Sequence, residues 1–180
     1  HQDIDRVLVT KKQIADRVSE MAEELSSELM SIESDSEIVL LPIMTGSVIF
    51  VADLMRQLPM RLRIDVVTVS SYPGMSKTSQ GAMLRDKIPD SIRGQHVLVV
   101  DDILDSGSTI RLIRSEVERI GVRSIRSCML LRKTIPSAME TPCEYVGFDI
   151  PDEFVVGYGL DYNGYYRNLP DICVLKADVQ

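Results

Sequence analysis

The chain has 180 residues and a formal net charge of −7, and 44% of its residues are hydrophobic and 26% charged. These values are those of one soluble globular domain with a sizeable core. The acidic charge argues against broad binding to nucleic acid or anionic membranes, although it does not exclude a local basic pocket. No apolar run approaches the ~18 residues of a membrane span. We therefore expect neither nucleic acid nor a membrane as a partner.

The ends and the cysteines of the sequence bear on its compartment. No charged-then-apolar signal segment opens the chain. The first residue is His1 rather than Met, so we expect that the natural start is missing or that His1 remains from expression. Cys128, Cys143 and Cys173 lack CxxC spacing, and the one other histidine is His96. We therefore expect reduced structural thiols in a cytoplasmic protein, without a zinc site or a cysteine nucleophile.

The first predicted elements are a helix, a strand and a second helix. Thr10 and Gln13 have capping-box spacing, and apolar residues then recur at helical spacing over about 11–31. EIVLLP (37–42) is typical of a short buried strand. TGSVIFVADLMRQL (45–58) predicts a turn that enters a helix.

The alternation continues through the middle of the chain. LRIDVVTVSS (62–71) is β-branched and predicts a strand, whereas YPGMSKTSQGAML (72–84) predicts a mobile loop. HVLVV (96–100) predicts a buried strand. STIRLIRSEVERI (108–120) predicts an amphipathic helix, and Gly121 suits the position after it.

The last patterns complete a fold class. RSIRSCMLL (123–131) and EYVGFDI (144–150) predict strands, and ICVL (172–175) is a last apolar run. Strands that alternate with helices predict an α/β fold, with a central, mostly parallel sheet flanked by helices. Ligands of such folds bind at the carboxyl ends of strands, which here points to the turns after Leu41 and Val100.

Two adjacent aspartates stand where the strand 96–100 should end. Side chains alternate along a strand, so Asp101 and Asp102 would both face a cleft only at a turn. Two carboxylates attract a hard cation such as Mg²⁺, or the hydroxyls of a sugar. A DD pair by itself is more often a pair of solvated turn residues.

A helix N-terminus follows these aspartates and strengthens the case for a ligand site. Asp105, Ser106, Gly107, Ser108 and Thr109 lead directly into the predicted helix. Free N–H groups at a helix N-terminus bind phosphate, and Gly107 permits close approach. N-capping explains one of these five residues. The combination predicts carboxylates for a ribose beside a phosphate site, and the lack of Walker and GxGxxG motifs disfavours nucleoside triphosphates and dinucleotides.

The sequence resembles a known family at these and other motifs. VLVVDDILDSGST (97–109) resembles the phosphoribosyl-pyrophosphate signature of type I phosphoribosyltransferases. FVVGYGLDYNGYYRNLP (154–170) resembles the C-terminal motif of hypoxanthine/guanine phosphoribosyltransferases. LLRK (130–133) is similar to that family's purine-contacting lysine motif, and SSY (70–72) to the start of its catalytic loop. The motifs follow the family's order over about 37–175.

The resemblance implies a fold and an activity. The fold is a single domain over 1–180, with a type I phosphoribosyltransferase core at about 37–140. A small hood is formed by about 141–180 and N-terminal residues. The activity is purine salvage, in which the phosphoribosyl group passes from phosphoribosyl pyrophosphate to N9 of hypoxanthine or guanine. The products are IMP or GMP and pyrophosphate, Mg²⁺ is the cofactor, and a homodimer or homotetramer is expected.

The resemblance also implies roles around the ribose. Asp101 and Asp102 would hold its hydroxyls, in part through Mg²⁺. Asp105 would lie near N7 of the purine as general base, and backbone and hydroxyl groups of 105–109 would bind the 5′-phosphate. Ser71 and Tyr72 would close over the site and exclude water.

The purine and pyrophosphate contacts are implied by the same motifs. Lys133 would donate to the 6-oxo group, Phe154 would stack on the purine, and Val155 would contact its edge. Asp161 would lie by the purine and bind a second Mg²⁺ with pyrophosphate, which Arg167 would contact directly. Outside the family context each residue is more often an ordinary surface or core residue.

The turn IMTGSVIF departs from the family pattern. It corresponds to a Leu-Lys-Gly-Ser pyrophosphate loop, whose first dipeptide the family often holds in the cis form, but Met44 and Thr45 replace Leu and Lys. Backbone donors of Thr45, Gly46 and Ser47 could still bind pyrophosphate, without the long cation. Ser108 is a smaller departure, since many members carry a basic residue there.

Three other hypotheses stay open. A regulatory protein of this fold that acts on transcription or RNA is disfavoured by the acidic charge and by Asp105, Lys133 and Arg167. A phosphoacceptor signalling domain also has paired aspartates after a strand, but it has no use for the aromatic tail. Within enzymes, Lys133 and FVVGYGLDY argue against uracil or orotate, but not between hypoxanthine, guanine and xanthine.

Overall fold

The computed structural model describes residues 2–31, 37–70 and 82–179 of the chain. Its strands are β1 (Ile4–Val9), β2 (Ile38–Met44), β3 (Leu62–Ile64), β4 (Val67–Ser70), β5 (Met83–Leu84), β6 (His96–Leu104), β7 (Ser124–Lys133), β8 (Tyr145–Ile150), β9 (Val155–Val156) and β10 (Ile172–Leu175). Its α-helices are α1 (Lys11–Leu29), α2 (Val48–Met55), α3 (Ser108–Ile120) and α4 (Pro136–Met139).

A central sheet of seven strands has the order β5-β4-β2-β6-β7-β8, with β3 also paired to β2. Each pair is parallel except β4 with β5. Helices α1 and α2 pack on one face, where Phe50 and Leu98 are buried, and α3 and α4 pack on the other, around Val99 and Ile113. The predicted α/β class with flanking helices is confirmed.

A small antiparallel sheet lies apart from the central one. Its order is β1-β10-β9, so it joins the N-terminal and C-terminal parts of the chain. This arrangement agrees with the predicted hood. Strand β8 pairs with β7 in the central sheet, beyond the expected core limit near residue 140, and the division into core and hood stays a prediction.

Three predictions were wrong because neighbouring strands supply pairing that the local sequence does not indicate. Strand β6 does not end at Val100 but continues to Leu104, since its backbone pairs with β7 beyond Asp101. The predicted strand 62–71 is two short strands, β3 and β4, which pair with opposite ends of β2. Residues Met83–Leu84, expected in a loop, pair with β4.

Helix α1 follows the local chemistry that predicts it. Thr10 and Gln13 form the expected capping box, and the apolar stripe from Ile14 to Leu29 is buried. The helix ends at Leu29 rather than at 31. Gly121 follows α3 with φ 87°, the left-handed conformation that favours glycine. Within the described ranges, no helix is long and apolar enough to cross a membrane.

Candidate active site

The residues predicted for the site converge at the carboxyl edge of the central sheet. The turn 45–47 follows β2, the turn 105–107 follows β6, and Lys133 ends β7. The C-terminal segment, 153–170, lies against this edge. Its residues 153–155 and 160–161 border a cavity together with Asp105 and Lys133. Ser71 and Tyr72 lie outside the described residues, so their lid role stays a prediction.

Asp101 and Asp102 remain in strand β6, yet both border one cavity of about 300 Å³ with the turn that follows. Asp101 is buried, and its Oδ1 accepts the backbone N–H of Asp102 at 3.0 Å. Burial raises the pKa of Asp101 well above its usual range, and the neighbouring carboxylate raises it further. Burial also raises the pKa of Asp102, although hydrogen bonds and the charge of Arg167 oppose the rise.

A buried carboxylate pair fits a hard cation, because a cation would offset both desolvation and mutual repulsion. The described residues contain no group of three or more His, Cys, Asp or Glu side chains that could hold a metal alone. Mg²⁺ needs no such group, since one or two carboxylates with phosphate oxygens and water satisfy it. Asp101 and Asp102 are therefore suited to a cation that arrives with its ligand.

The turn between β6 and α3 is contacted by two residues that the sequence did not indicate. Gly107 has φ 78°, and a Cβ there would overlap the side chains of Thr141 and Arg111. Arg111 donates to Thr141 Oγ1 at 2.6 Å and to the carbonyl of Ser106 at 2.9 Å. Ser106 Oγ also bonds Ser108 Oγ at 3.0 Å. Arg111 thus ties the turn to Thr141 and stabilises its conformation.

The first turn of α3 opens onto the same cavity. Ser108, Thr109 and Ile110 all line it. Backbone N–H groups in the first turn of a helix have no carbonyl partner within the helix, and the helix dipole favours an anion there. This end of α3 can therefore bind a phosphate.

Lys133 is a nearly buried cation between two carboxylates. Its side chain is 13% exposed, and Nζ lies 3.3 Å from Asp105 Oδ2 and 2.9 Å from Asp152 Oδ1. Burial acts to lower the pKa of Lys133, but the two acidic partners outweigh it and the pKa is raised. The lysine therefore stays a charged donor. The sequence did not indicate Asp152, because nothing in its local pattern distinguishes it from a surface aspartate.

Lys133 and Asp105 border a second cavity of about 200 Å³. Phe154 and Val155 line its hood side. The Phe154 ring is partly exposed and packs edge-on against Tyr162, with 5.4 Å between ring centroids. The cavity thus combines an aromatic wall with a fixed cation, which suits a planar ring that carries a hydrogen-bond acceptor.

Arg167 is held in place by a short network of bonds within the C-terminal segment. Its Nη2 lies 2.7 Å from Asp161 Oδ1, and its Nη1 donates to the carbonyl of Gly159 at 2.6 Å. Asp161 Oδ2 accepts the backbone N–H of Gly164 at 2.7 Å. The charge of the guanidinium also acts on Asp102, where it opposes the rise in pKa that burial causes.

The turn after β2 contains the expected cis peptide, between Met44 and Thr45. Ser47 is fully buried and donates to the carbonyl of Ile43 at 2.6 Å, so its hydroxyl is used within the fold. Thr45 is exposed. The donors that this turn offers a ligand are therefore its backbone N–H groups and the Thr45 hydroxyl.

Three sequence motifs meet at two glycines. A Cβ on Gly46 would overlap the carboxylate of Asp102. A Cβ on Gly159, which has φ 105°, would overlap the carbonyl oxygen of Gly46. Gly46 therefore lies between the acidic pair and the C-terminal segment, and the absence of two methyl groups allows the three motifs to pack together.

A mostly parallel sheet with acidic side chains beside a helix N-terminus at its carboxyl edge defines the class: an α/β protein whose sheet edge is suited to a phosphorylated ligand. Comparison with known proteins agrees. Residues 8–163 match the family model described as phosphoribosyl transferase domain. The hypoxanthine phosphoribosyltransferase of Salmonella typhimurium is 40% identical over 165 residues, which cover 91% of each chain.

Two further relatives extend the comparison. The hypoxanthine-guanine phosphoribosyltransferase of Mycobacterium tuberculosis is 41% identical over 183 residues, covering 98% of this chain and 89% of that protein. A point mutant of the Trypanosoma cruzi hypoxanthine phosphoribosyltransferase, complexed with the product IMP, superposes with a TM-score of 0.88. The two sequences are 31% identical, and the superposition covers 99% of this chain and 95% of the Trypanosoma cruzi chain. The chain belongs to the phosphoribosyltransferase family and is a transferase, as the resemblance implied.

Proposed function

We propose that this protein transfers the 5-phosphoribosyl group from phosphoribosyl pyrophosphate to N9 of hypoxanthine or guanine. The products are IMP or GMP and pyrophosphate. The observation that carries the proposal is the charged Lys133 beside Asp105 in a cavity with an aromatic wall. Relatives near 40% identity carry the names of both purine activities, which supports the choice of bases.

Each part of the reaction has a residue suited to it. Lys133 donates to the 6-oxo group and so fixes the purine with N7 toward Asp105. The carboxylate of Asp105 takes or shares the N7 proton while N9 attacks the anomeric carbon. Phe154 stacks on the ring, and Val155 offers its backbone to the ring edge.

The phosphoribosyl side is assigned by charge. The first turn of α3 binds the 5′-phosphate, and Asp101 and Asp102 bind the ribose hydroxyls. Arg167 and the backbone of the turn 45–47 bind pyrophosphate. Mg²⁺ held by Asp101 and Asp102, and a second Mg²⁺ held by Asp161, would stabilise the charge on the leaving pyrophosphate.

Thr45 sets this chain apart from the family pattern, which has a lysine there. Without that cation, Arg167 carries more of the charge opposite pyrophosphate. A homodimer or homotetramer and a cytoplasmic location are further proposals that rest on the family resemblance.

Purified protein is expected to convert hypoxanthine or guanine to its monophosphate when phosphoribosyl pyrophosphate and Mg²⁺ are present. Product and released pyrophosphate should appear in equal amounts, and a chelator should stop the reaction. The nucleotide products are measured by chromatography for a panel of four bases: hypoxanthine, guanine, xanthine and adenine. A protein that turns over none of hypoxanthine, guanine and xanthine would refute the proposed activity.

Arg167→Ala is expected to raise KM for phosphoribosyl pyrophosphate about 10-fold or more, because a charged hydrogen bond to an anion is lost. Affinity for IMP, which lacks pyrophosphate, should change little. Arg119→Ala, at an exposed arginine on α3, is the matched control. If IMP binding falls as much as phosphoribosyl-pyrophosphate use, Arg167 does not act on pyrophosphate.

A further inference from the structure

Tyr158 joins the C-terminal segment to helix α2. The residue is 8% exposed, and its φ of 51° is unusual for a residue with a side chain. Its hydroxyl donates to Asp53 Oδ2 at 2.6 Å. Asp53 also pairs with Arg56, the residue that directly follows α2. A residue in an unfavourable conformation persists only where its surroundings hold it, and this bond is one such restraint.

This hydrogen bond connects the two elements proposed to bind pyrophosphate, the turn 45–47 and Arg167. Helix α2 begins at Val48, directly after the turn 45–47. On the other end, Gly159 N–H donates to the carbonyl of Arg167 at 3.0 Å, and the guanidinium of Arg167 returns to the carbonyl of Gly159 at 2.6 Å. Tyr158 therefore belongs to the same hydrogen-bonded unit as Arg167.

We propose that Tyr158 is a positioning residue for phosphoribosyl pyrophosphate, because its bond to Asp53 fixes Arg167 relative to the turn from which α2 begins. This inference rests on the proposed function. In this role neither Tyr158 nor Asp53 has to contact the substrate. The bond sets the distance between the two groups that flank the leaving pyrophosphate, the guanidinium on the C-terminal segment and the backbone donors of the turn.

The chemistry of the pair suits a permanent restraint. Burial raises the pKa of Tyr158, and the Asp53 carboxylate raises it further, so the hydroxyl remains a donor at any working pH. Asp53 keeps about a third of its side chain exposed. Removal of the tyrosine hydroxyl therefore leaves no buried, unpaired charge, and the fold should tolerate the change.

The effect should be confined to one substrate. Lys133 ends β7, and Phe154 precedes β9, which pairs with β10. The cation and ring assigned to the purine are therefore held by strand pairing rather than by the bond between Tyr158 and Asp53. Loss of the Tyr158 bond loosens the pyrophosphate side and leaves those contacts in place. A residue that served only stability would affect both substrates alike.

Tyr158→Phe is expected to raise KM for phosphoribosyl pyrophosphate about 10-fold, as expected for a hydrogen bond to a charged group, with KM for the purine unchanged. Asp53→Ala should repeat this result, and the double variant should be no worse than either single one. Asp53→Asn keeps an acceptor oxygen and should restore most of the affinity. Tyr165→Phe, at a ring that is 71% exposed, is the control and should match the wild type.

The outcomes separate this inference from the function on which it rests. Equal rises in both KM values, or no change in either Tyr158→Phe or Asp53→Ala, would overturn the positioning role. If the wild type turns over no purine, the proposed function fails. Calorimetric binding of phosphoribosyl pyrophosphate with Mg²⁺ then decides the inference directly, since weaker binding in Tyr158→Phe supports it and equal binding overturns it.

Discussion

Asp105→Asn is expected to lower kcat by about 10²-fold or more, the contribution typical of a general base. The asparagine amide has almost the shape of the carboxylate and can accept a hydrogen bond, but it cannot take a proton from N7. Phosphoribosyl pyrophosphate and IMP should bind with nearly unchanged affinity. Single-turnover kinetics with hypoxanthine, together with calorimetric titration of both ligands, measure the two effects separately.

Asp152→Asn is the matched control for this prediction. Asp105 and Asp152 both pair with Lys133, at 3.3 and 2.9 Å, so each variant removes one acidic partner from the same lysine. A general base predicts a large loss of kcat in Asp105→Asn alone. Equal losses in the two variants would mean that Asp105 acts by holding Lys133, and its role as base would be abandoned.

The sequence predicted the fold well where local pattern decides it. Alternation of buried strands with amphipathic helices indicated the parallel sheet, and the capping box at Thr10 located the start of α1. Strand β1 was missed, because Asp5 and Arg6 interrupt its apolar pattern. Its partner β10 lies at the other end of the chain, so the pairing that stabilises β1 is not visible locally.

The site was predictable where chemistry lies in one short motif. The aspartates and the glycine turn of 101–109 do border one cavity. What the sequence could not supply are contacts between distant segments. Examples are Asp152 on Lys133 and Arg111 with Thr141 behind Gly107, since each partner alone has the pattern of an ordinary surface residue.

Gly159→Ala is expected to lower kcat/KM for phosphoribosyl pyrophosphate strongly. A methyl group at this position meets the backbone carbonyl of Gly46, closer than the 3.0 Å at which real Cβ atoms stop. A backbone atom cannot rotate away as a side chain would, so the segment and the turn 45–47 must separate. A displacement on the order of 1 Å between the groups that hold a substrate costs about 10²-fold in rate.

Gly164→Ala separates this contact from the cost of backbone conformation. Both glycines have positive φ, 105° at Gly159 and 85° at Gly164, but a Cβ on Gly164 meets nothing within 4 Å. In each variant the alanine must adopt a left-handed conformation, which should lower the free energy of unfolding by about 1–2 kcal/mol. Urea unfolding measures this loss. Only Gly159→Ala should also lose activity at a temperature where both variants are folded. Equal activity in the two would show that the turn 45–47 does not depend on contact with the C-terminal segment.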